Sequence, residues 1–376
     1  MNSDILYLEN ADYSDFLVDL SFLKIERPVG VTGLLRVKND AEFIELCISS
    51  CIDALDELIV TYQKSDDNAP EVIEKMRKKY PHKIKVYFYE PSILSHNLSK
   101  EELDFVKTMP ENSVHLLSNY YNYSLSKVSY KYVVKIDTDQ VYFSEKLKGI
   151  CDLYRSSYTQ KITFKERLVS NIALYLDHCY NVLPLMGSLF FSNVIMGYYE
   201  SYIKKMIVNK KVMLSVSGVN LFFDKNGWEI PLGNNANGIR SPFNGVGDTL
   251  FFEISKDTYY TPWECYDKRR NRYFYLEKFY KKEQTVLQGG FLWFHLDAIR
   301  KNKYLDNKSL YNGNTIKVAD FLKKKNIVNV NRILFMKSFR FYYSIFFEYE
   351  KKKMPWDMLE IIKKHLAFLS VFISVH

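Results

Sequence analysis

Two carboxylates one residue apart, in Asp137-Thr138-Asp139, follow the apolar run Tyr132-Val133-Val134-Lys135-Ile136. Residues i and i+2 of a strand point to the same side, so two acids at its exit can converge on one ion. Hard cations such as Mg2+ and Mn2+ prefer oxygen ligands and often keep substrate phosphates in their shell. Asp and Thr also close strands as ordinary turn residues. The surrounding elements decide between the two readings.

Those elements alternate. Val31 to Val37 reads as a buried strand. Asp40 to Asp53 carries Phe43, Ile44, Cys47, Ile48 and Cys51 at helical spacing, with Asn39 or Asp40 as N-cap. Glu57 to Tyr62 is a second strand, and Ser65-Asp66-Asp67-Asn68-Ala69-Pro70 is a polar loop before a helix over Glu71 to Tyr80. Lys83 to Tyr89 is a third strand, Val114 to Lys127 a helix, and residues 131–136 the strand before Asp137. This order predicts an α/β fold with a mostly parallel sheet flanked by helices. Ligands on such sheets sit beyond the carboxyl ends of the strands. Arg36, Asn39, Ser65, Asp66, Asp67, Asp137 and Asp139 all fall at such ends, which predicts one cleft. Neither a G-x-G-x-x-G nor a G-x-x-x-x-G-K-[ST] loop occurs in this half, so a nucleotide would rely on a metal for its diphosphate. Further on, Leu214 to Phe223 reads as strand, Asp224 to Gly227 as a hairpin turn, and Gly233 to Gly238 as a flexible loop.

Composition narrows the classes. Hydrophobic content of 47% and charged content of 26% are ordinary for a globular protein. The 30 Tyr and 26 Phe suit sugar-binding and membrane-surface proteins, though a core uses such residues too. Five scattered cysteines, Cys47, Cys51, Cys151, Cys179 and Cys265, fit reduced thiols better than a zinc site. No basic, apolar leader opens the chain, and no run approaches the ~20 apolar residues of a membrane span. The expected location is cytoplasmic, or peripheral on the inner face of a membrane. Of the net charge of +8, a surplus of seven lies in residues 321–376, which leaves the rest near neutral and argues against a nucleic-acid partner. In residues 327–376 aromatic and basic residues interleave before an apolar final helix, read either as a packing or dimer surface or as an interfacial membrane anchor.

In order along the chain stand Arg36-Val37-Lys38-Asn39-Asp40, Asp56-Glu57-Leu58-Ile59-Val60, Ser65-Asp66-Asp67-Asn68 and Lys135-Ile136-Asp137-Thr138-Asp139. This set resembles the nucleotide-sugar-dependent glycosyltransferases of the GT-A fold, especially bacterial family-two-like enzymes of surface polysaccharide synthesis. The resemblance covers about residues 30–300 and implies a catalytic domain over 1–300 with a mainly helical extension over 301–376. It implies nucleotide-sugar contacts from Arg36, Asn39, Lys135 and Asp137, from Asp66 or Asp67 on the nucleoside, and from Asn119 and Asn122 on the helix before the acidic pair. It implies a divalent metal, Mn2+ or Mg2+, on Asp137, Asp139 and His295. It implies a general base about a hundred residues beyond the acidic pair, because an acceptor hydroxyl must lose its proton as it attacks. Asp248 fits by position, with helix capping before Leu250 to Ile254 as its rival role. Glu264 and Asp267 are the alternatives, and the family's common Glu-Asp pair is absent. Trp293 reads as core. The implied donor is a nucleotide diphosphate sugar, a UDP-sugar above others, and the implied acceptor a saccharide or lipid-linked saccharide. Inversion by single displacement is the implied course. A sugar-phosphate nucleotidyltransferase and an inactive saccharide-binding or membrane-scaffold protein are the rival readings.

Overall fold

The computed structural model describes residues 12–170, 193–224, 227–231, 243–268, 271–281, 286–301 and 315–318. The first half runs β1 (Val31–Val37), α1 (Ala41–Cys51), β2 (Glu57–Tyr62), α2 (Ala69–Lys79), β3 (Ile84–Phe88), α3 (Lys100–Thr108), α4 (Leu117–Ser126) and β4 (Tyr132–Ile136). Then come β5 (Gln140–Tyr142), α5 (Ser144–Arg155), α6 (Asn193–Lys210), β6 (Met213–Asn220), β7 (Phe222–Asp224), β8 (Gly227–Pro231) and β9 (Phe243–Glu253). The last are β10 (Thr258–Asp267), β11 (Arg272–Lys281), β12 (Val286–His295) and β13 (Thr315–Lys317). The chain divides into two compact units that interleave in sequence.

The first unit comprises residues 1–41, 55–136 and 253–284. Its strands lie in the order β3-β2-β1-β4, all parallel. β1, β2 and β4 are nearly continuous apolar runs, as strands covered on both faces require. Gly33 lets Leu55 and Leu58 close on β1, where an added Cβ would lie 2.6 Å from Leu55 Cδ1. α2 starts with Pro70 in its first turn. α3 carries a capping box, with Ser99 and Glu102 satisfying each other's backbone N–H groups. β10 and β11 pair antiparallel, and β10 is held to α4 by Asn122, whose amide both accepts from Tyr260 N and donates to Tyr260 O.

The second unit comprises residues 42–54, 137–252 and 285–376. Its larger sheet has the order β9-β6-β12-β5; β6 and β12 are parallel, β9 and β5 antiparallel to their neighbours. A small antiparallel sheet, β13-β8-β7, stands beside it in the same unit. Trp293 is fully buried against Tyr142, and Tyr154 stacks on Phe251 at 5.5 Å. Four of the six pairings in the larger sheets of the two units are parallel, so the expectation of a mostly parallel α/β fold holds. The expected strand over Leu214 to Phe223 is two strands, β6 and β7, in different sheets. The loop at 233–238 and the segment 327–376 lie outside the described residues. Among the described residues, no helix is long and apolar enough to cross a membrane.

Candidate active site

Asp139 is brought to its partners by backbone pairing. β5 starts at the next residue, and β12 runs antiparallel to it with His295 opposite Gln140. Leu296 N donates to Asp139 O at 2.8 Å and prolongs that ladder by one bond. His295 is thereby set beside Asp139, with Nε2 3.5 Å from Oδ2. The turn after β12, Asp297 to Ile299, returns the chain so that Arg300 Nη2 donates to the same Oδ2 at 2.8 Å. All three side chains are partly open to solvent: 14% exposed for Asp139, 20% for His295 and 18% for Arg300.

Each partner is itself held. β6 pairs with β12 so that Asn220 lies opposite His295, and Asn220 Oδ1 is 2.8 Å from His295 Nδ1. With that oxygen toward Nδ1, the Nδ1 proton is fixed on the Asn220 side, so Nε2 faces Asp139 and would offer its lone pair to a cation once the ring is neutral. Arg300 Nε donates to Asp297 Oδ1 at 2.9 Å, and the guanidinium lies 5.5 Å from the Phe43 ring centre. Burial alone would push the Asp139 carboxyl up. His295, with its ring protonated in the metal-free site, and the Arg300 guanidinium outweigh it and hold that carboxyl well below the usual range.

Asp137 has other engagements. Its carbonyl accepts from Gln140 N at 3.3 Å and Cys47 Sγ at 3.2 Å, and its carboxylate accepts from Gln140 Nε2 at 3.3 Å. Asp137 thus closes the turn between β4 and β5, and of the three expected metal ligands the structure pairs Asp139 with His295. Among the described residues, no three His, Cys, Asp or Glu side chains gather as a metal set. The pair supplies one carboxylate oxygen and one imidazole nitrogen with an oriented outer partner. One carboxylate oxygen and one imidazole nitrogen would suit Mn2+ better than Mg2+, which prefers oxygen throughout, and would leave further positions to water and phosphate.

A second polar group lies in the first unit, at the carboxyl ends of β1 and β2. Asn39 takes a left-handed conformation (φ 55°), which Asn tolerates. Its side chain and Asp66 exchange two bonds: Asn39 Nδ2 donates to Asp66 Oδ2 at 3.2 Å, and Asp66 N donates to Asn39 Oδ1 at 2.7 Å. Asp67 caps two helices, accepting from Ala41 N at 2.9 Å and Ala69 N at 3.1 Å. Asp67 thus reaches across a loop to the first N–H of α1. Of the acidic loop, Asp66 is thus tied to the Asn39 side chain and Asp67 to the two helix starts.

Arg36 is half-buried near the end of β1, its guanidinium 3.8 Å from the Tyr121 ring centre. Burial pushes the Tyr260 hydroxyl up, against the pull of the Arg36 and Lys135 charges. Asn119 and Asn122, expected at the donor, are buried instead. Asn119 Nδ2 donates to Phe16 O and the Tyr89 hydroxyl, each at 3.1 Å, and Asn122 is bound on both sides of its amide to Tyr260. Their polar groups satisfy buried backbone and phenol partners. The shared helix face predicted for them is an inward one.

Asp248 lies within β9, an 11-residue strand that continues through Glu253. The helix expected over Leu250 to Ile254 does not form, because Leu250 and Phe251 pair with Ser215 and Leu214 of β6. Capping is therefore not the role of Asp248, whose side chain lies outside the described atoms. Glu264 makes an ion pair with Lys107, and Asp267 stands opposite Arg272 at the hairpin end.

Sequence reasoning missed Arg300 and Asn220. Arg300 stands five residues after His295, a spacing that only the intervening turn converts into proximity. Asn220 lies inside the predicted strand Leu214 to Phe223, but its place opposite His295 depends on a register that no local pattern encodes.

Residues 24–185 match the family model described as Beta-1,4-N-acetylgalactosaminyltransferase (CgtA). That span holds Arg36, Asn39, Asp66, Asp137 and Asp139. The match bears out the glycosyltransferase resemblance over those residues. No curated relative matches the chain. Among solved structures, the mannosyltransferase PcManGT from Pyrobaculum calidifontis, in complex with GDP-Man and Mn2+, is 16% identical, covers 37% of this chain and 41% of its own, and gives a TM-score of 0.24. Glucosyl-3-phosphoglycerate synthase from Mycobacterium tuberculosis, in complex with Mn2+, uridine diphosphate and phosphoglyceric acid, is 23% identical, covers 32% and 36%, and gives 0.19. The chain thus spans less than half of the length of these structures.

Proposed function

We propose that this chain is a metal-dependent glycosyltransferase that moves a sugar from a nucleotide diphosphate donor to a saccharide or lipid-linked saccharide acceptor. The observation that carries the proposal is Asp139 after β4, with His295 Nε2 3.5 Å from its Oδ2 and Asn220 orienting the ring. A nucleoside diphosphate leaving group needs its growing charge neutralised, and the chain has no glycine-rich phosphate loop to do so. Asp139 and His295 would hold a Mn2+ or Mg2+ ion, which when bound supplies Lewis-acid stabilisation of the leaving diphosphate. Asp137, at the turn that follows β4, is kept for the nucleotide sugar.

Asp66, paired with Asn39, would accept hydrogen bonds from the nucleoside. Arg36 and Lys135 add positive charge to the same unit. Asp248 would take the proton from the acceptor hydroxyl as that oxygen attacks the anomeric carbon. One base and no covalent nucleophile suit a single inverting displacement. The acceptor belongs to surface polysaccharide synthesis in this reading, and residues 327–376 would serve a membrane surface or a second subunit. Among donors a UDP-sugar comes first, and the matched family's description puts an N-acetylgalactosamine donor at the head of the panel.

The test is release of UDP or GDP from a panel of nucleotide sugars with added Mn2+. UDP-N-acetylgalactosamine or another UDP-sugar should be hydrolysed slowly without acceptor. Binding of a saccharide with no turnover of any donor in the panel would contradict the proposal.

A further inference from the structure

We propose that Arg300 is a resident counter-cation for Asp139, displaced when a divalent metal binds and then available to the diphosphate of the nucleotide. The inference rests on the proposed metal reading of Asp139 and His295. Arg300 Nη2 and His295 Nε2 both address one oxygen, Asp139 Oδ2, at 2.8 and 3.5 Å. A cation held by Asp139 and His295 would share that oxygen with the guanidinium. Two like charges on one carboxylate in a partly buried site repel strongly, because little water screens them. The two cations therefore compete.

The surroundings allow Arg300 to yield. Its Nε stays tied to Asp297 Oδ1 at 2.9 Å, within the same turn, and its Cζ lies over the Phe43 ring, 5.5 Å from the centre. Nη2 can leave Asp139 without loss of that anchor. A guanidinium released beside a metal site, still fixed at Nε, presents donors suited to a phosphate. The total charge then determines order. Metal alone would add two positive charges to a site already balanced by Arg300. Metal with a diphosphate restores the balance. Metal and nucleotide should thus strengthen each other's binding by the same factor, as linkage requires.

The test is Mn2+ binding, read by the loss of the free-ion electron paramagnetic resonance signal, with and without UDP and corrected for Mn2+ held by UDP itself. Arg300→Gln should bind Mn2+ roughly tenfold more tightly than wild type without UDP, the equivalent of one charge-assisted contact removed. Its gain in Mn2+ affinity from UDP should shrink by a similar factor. Arg300→Lys keeps the charge but not the fork and should fall between, which provides a second reading if the Gln variant folds poorly. A merely structural arginine predicts the opposite sign, since Asp139 would lose its support. Equal or weaker Mn2+ binding in both folded variants would overturn the proposal. Asp139→Asn that binds Mn2+ as tightly as wild type would overturn the metal reading itself, and the proposal with it.

Discussion

Glu57 and Asp139 are both poorly exposed carboxylates at the ends of strands, yet their surroundings differ in kind. Glu57 opens β2, at the amino end, and is 2% exposed. It accepts from Thr32 Oγ1 at 2.7 Å, Ser129 N at 2.6 Å and Lys85 Nζ at 2.8 Å. Two of these donors are neutral groups close to fixed backbone, and Lys85 carries its ammonium at the surface. Asp139 follows β4, at the carboxyl end, and meets an imidazole and a guanidinium that lie on a turn and a strand terminus. The first carboxylate is saturated by the frame of the protein. The second is held by groups that can themselves be exchanged. The carboxyl end of the strands is also where ligands of parallel sheets bind.

This comparison can be broken by substitution. Asp139→Asn should lower donor turnover by about 10²- to 10³-fold or more, the scale of losing one group that stabilises transition-state charge, while the protein stays folded. Glu57→Ala should do the reverse. It leaves Lys85, the buried Thr32 hydroxyl and the half-buried Ser129 N–H without this acceptor and should cost about 3 kcal/mol in urea unfolding, with turnover per folded molecule near that of wild type. Equal losses of stability in the two variants would erase the distinction. Asn220→Leu removes the group that orients His295 and should weaken Mn2+ binding by about 10- to 100-fold, as measured by titration.

Glu166 sharpens the comparison from the acid side. It is buried like Glu57 and accepts from Lys205 Nζ, from Ser201 Oγ at 2.8 Å and from Thr163 N at 2.8 Å. Burial pushes its carboxyl up, but Lys205 and the other donors prevail and hold it at about 2. The folded value lies below the unfolded one of about 4.3. The stabilisation is therefore complete above about pH 5 and is lost as pH falls toward 2. Glu166→Gln should flatten that part of the stability profile and cost on the order of 1–2 kcal/mol at pH 7, as read from urea melts across pH.

The strands of the first unit were legible because both of their faces are covered. Val31–Val37, Glu57–Tyr62 and Tyr132–Ile136 are apolar runs bounded by polar loops, and the observed strands coincide with the predicted ones to within a residue. The β10–β11 hairpin was not seen. Its aromatic residues stand on both faces, as in Tyr259 and Tyr260, so no period of two emerges. Leu250 to Ile254 read as helix because five residues carry no period, and pairing with β6 decided for strand. Asp139 was found from its own neighbours. Arg300 was not, because nothing local marks a residue whose partner is 161 positions away. Asn119 and Asn122 show the converse: a shared face is visible in sequence, but its direction is set by Tyr89 and Tyr260.

The most direct measurement is release of nucleoside diphosphate after chelation and metal add-back. Wild-type protein stripped with EDTA should release no UDP from its UDP-sugar, and added Mn2+ should restore turnover. Asp139→Asn with an unchanged melting curve should stay silent at every Mn2+ concentration that restores the wild type. Turnover that survives chelation, or an Asp139→Asn variant as active as wild type, would contradict the assignment of Asp139 as the metal end of a nucleotide-sugar site.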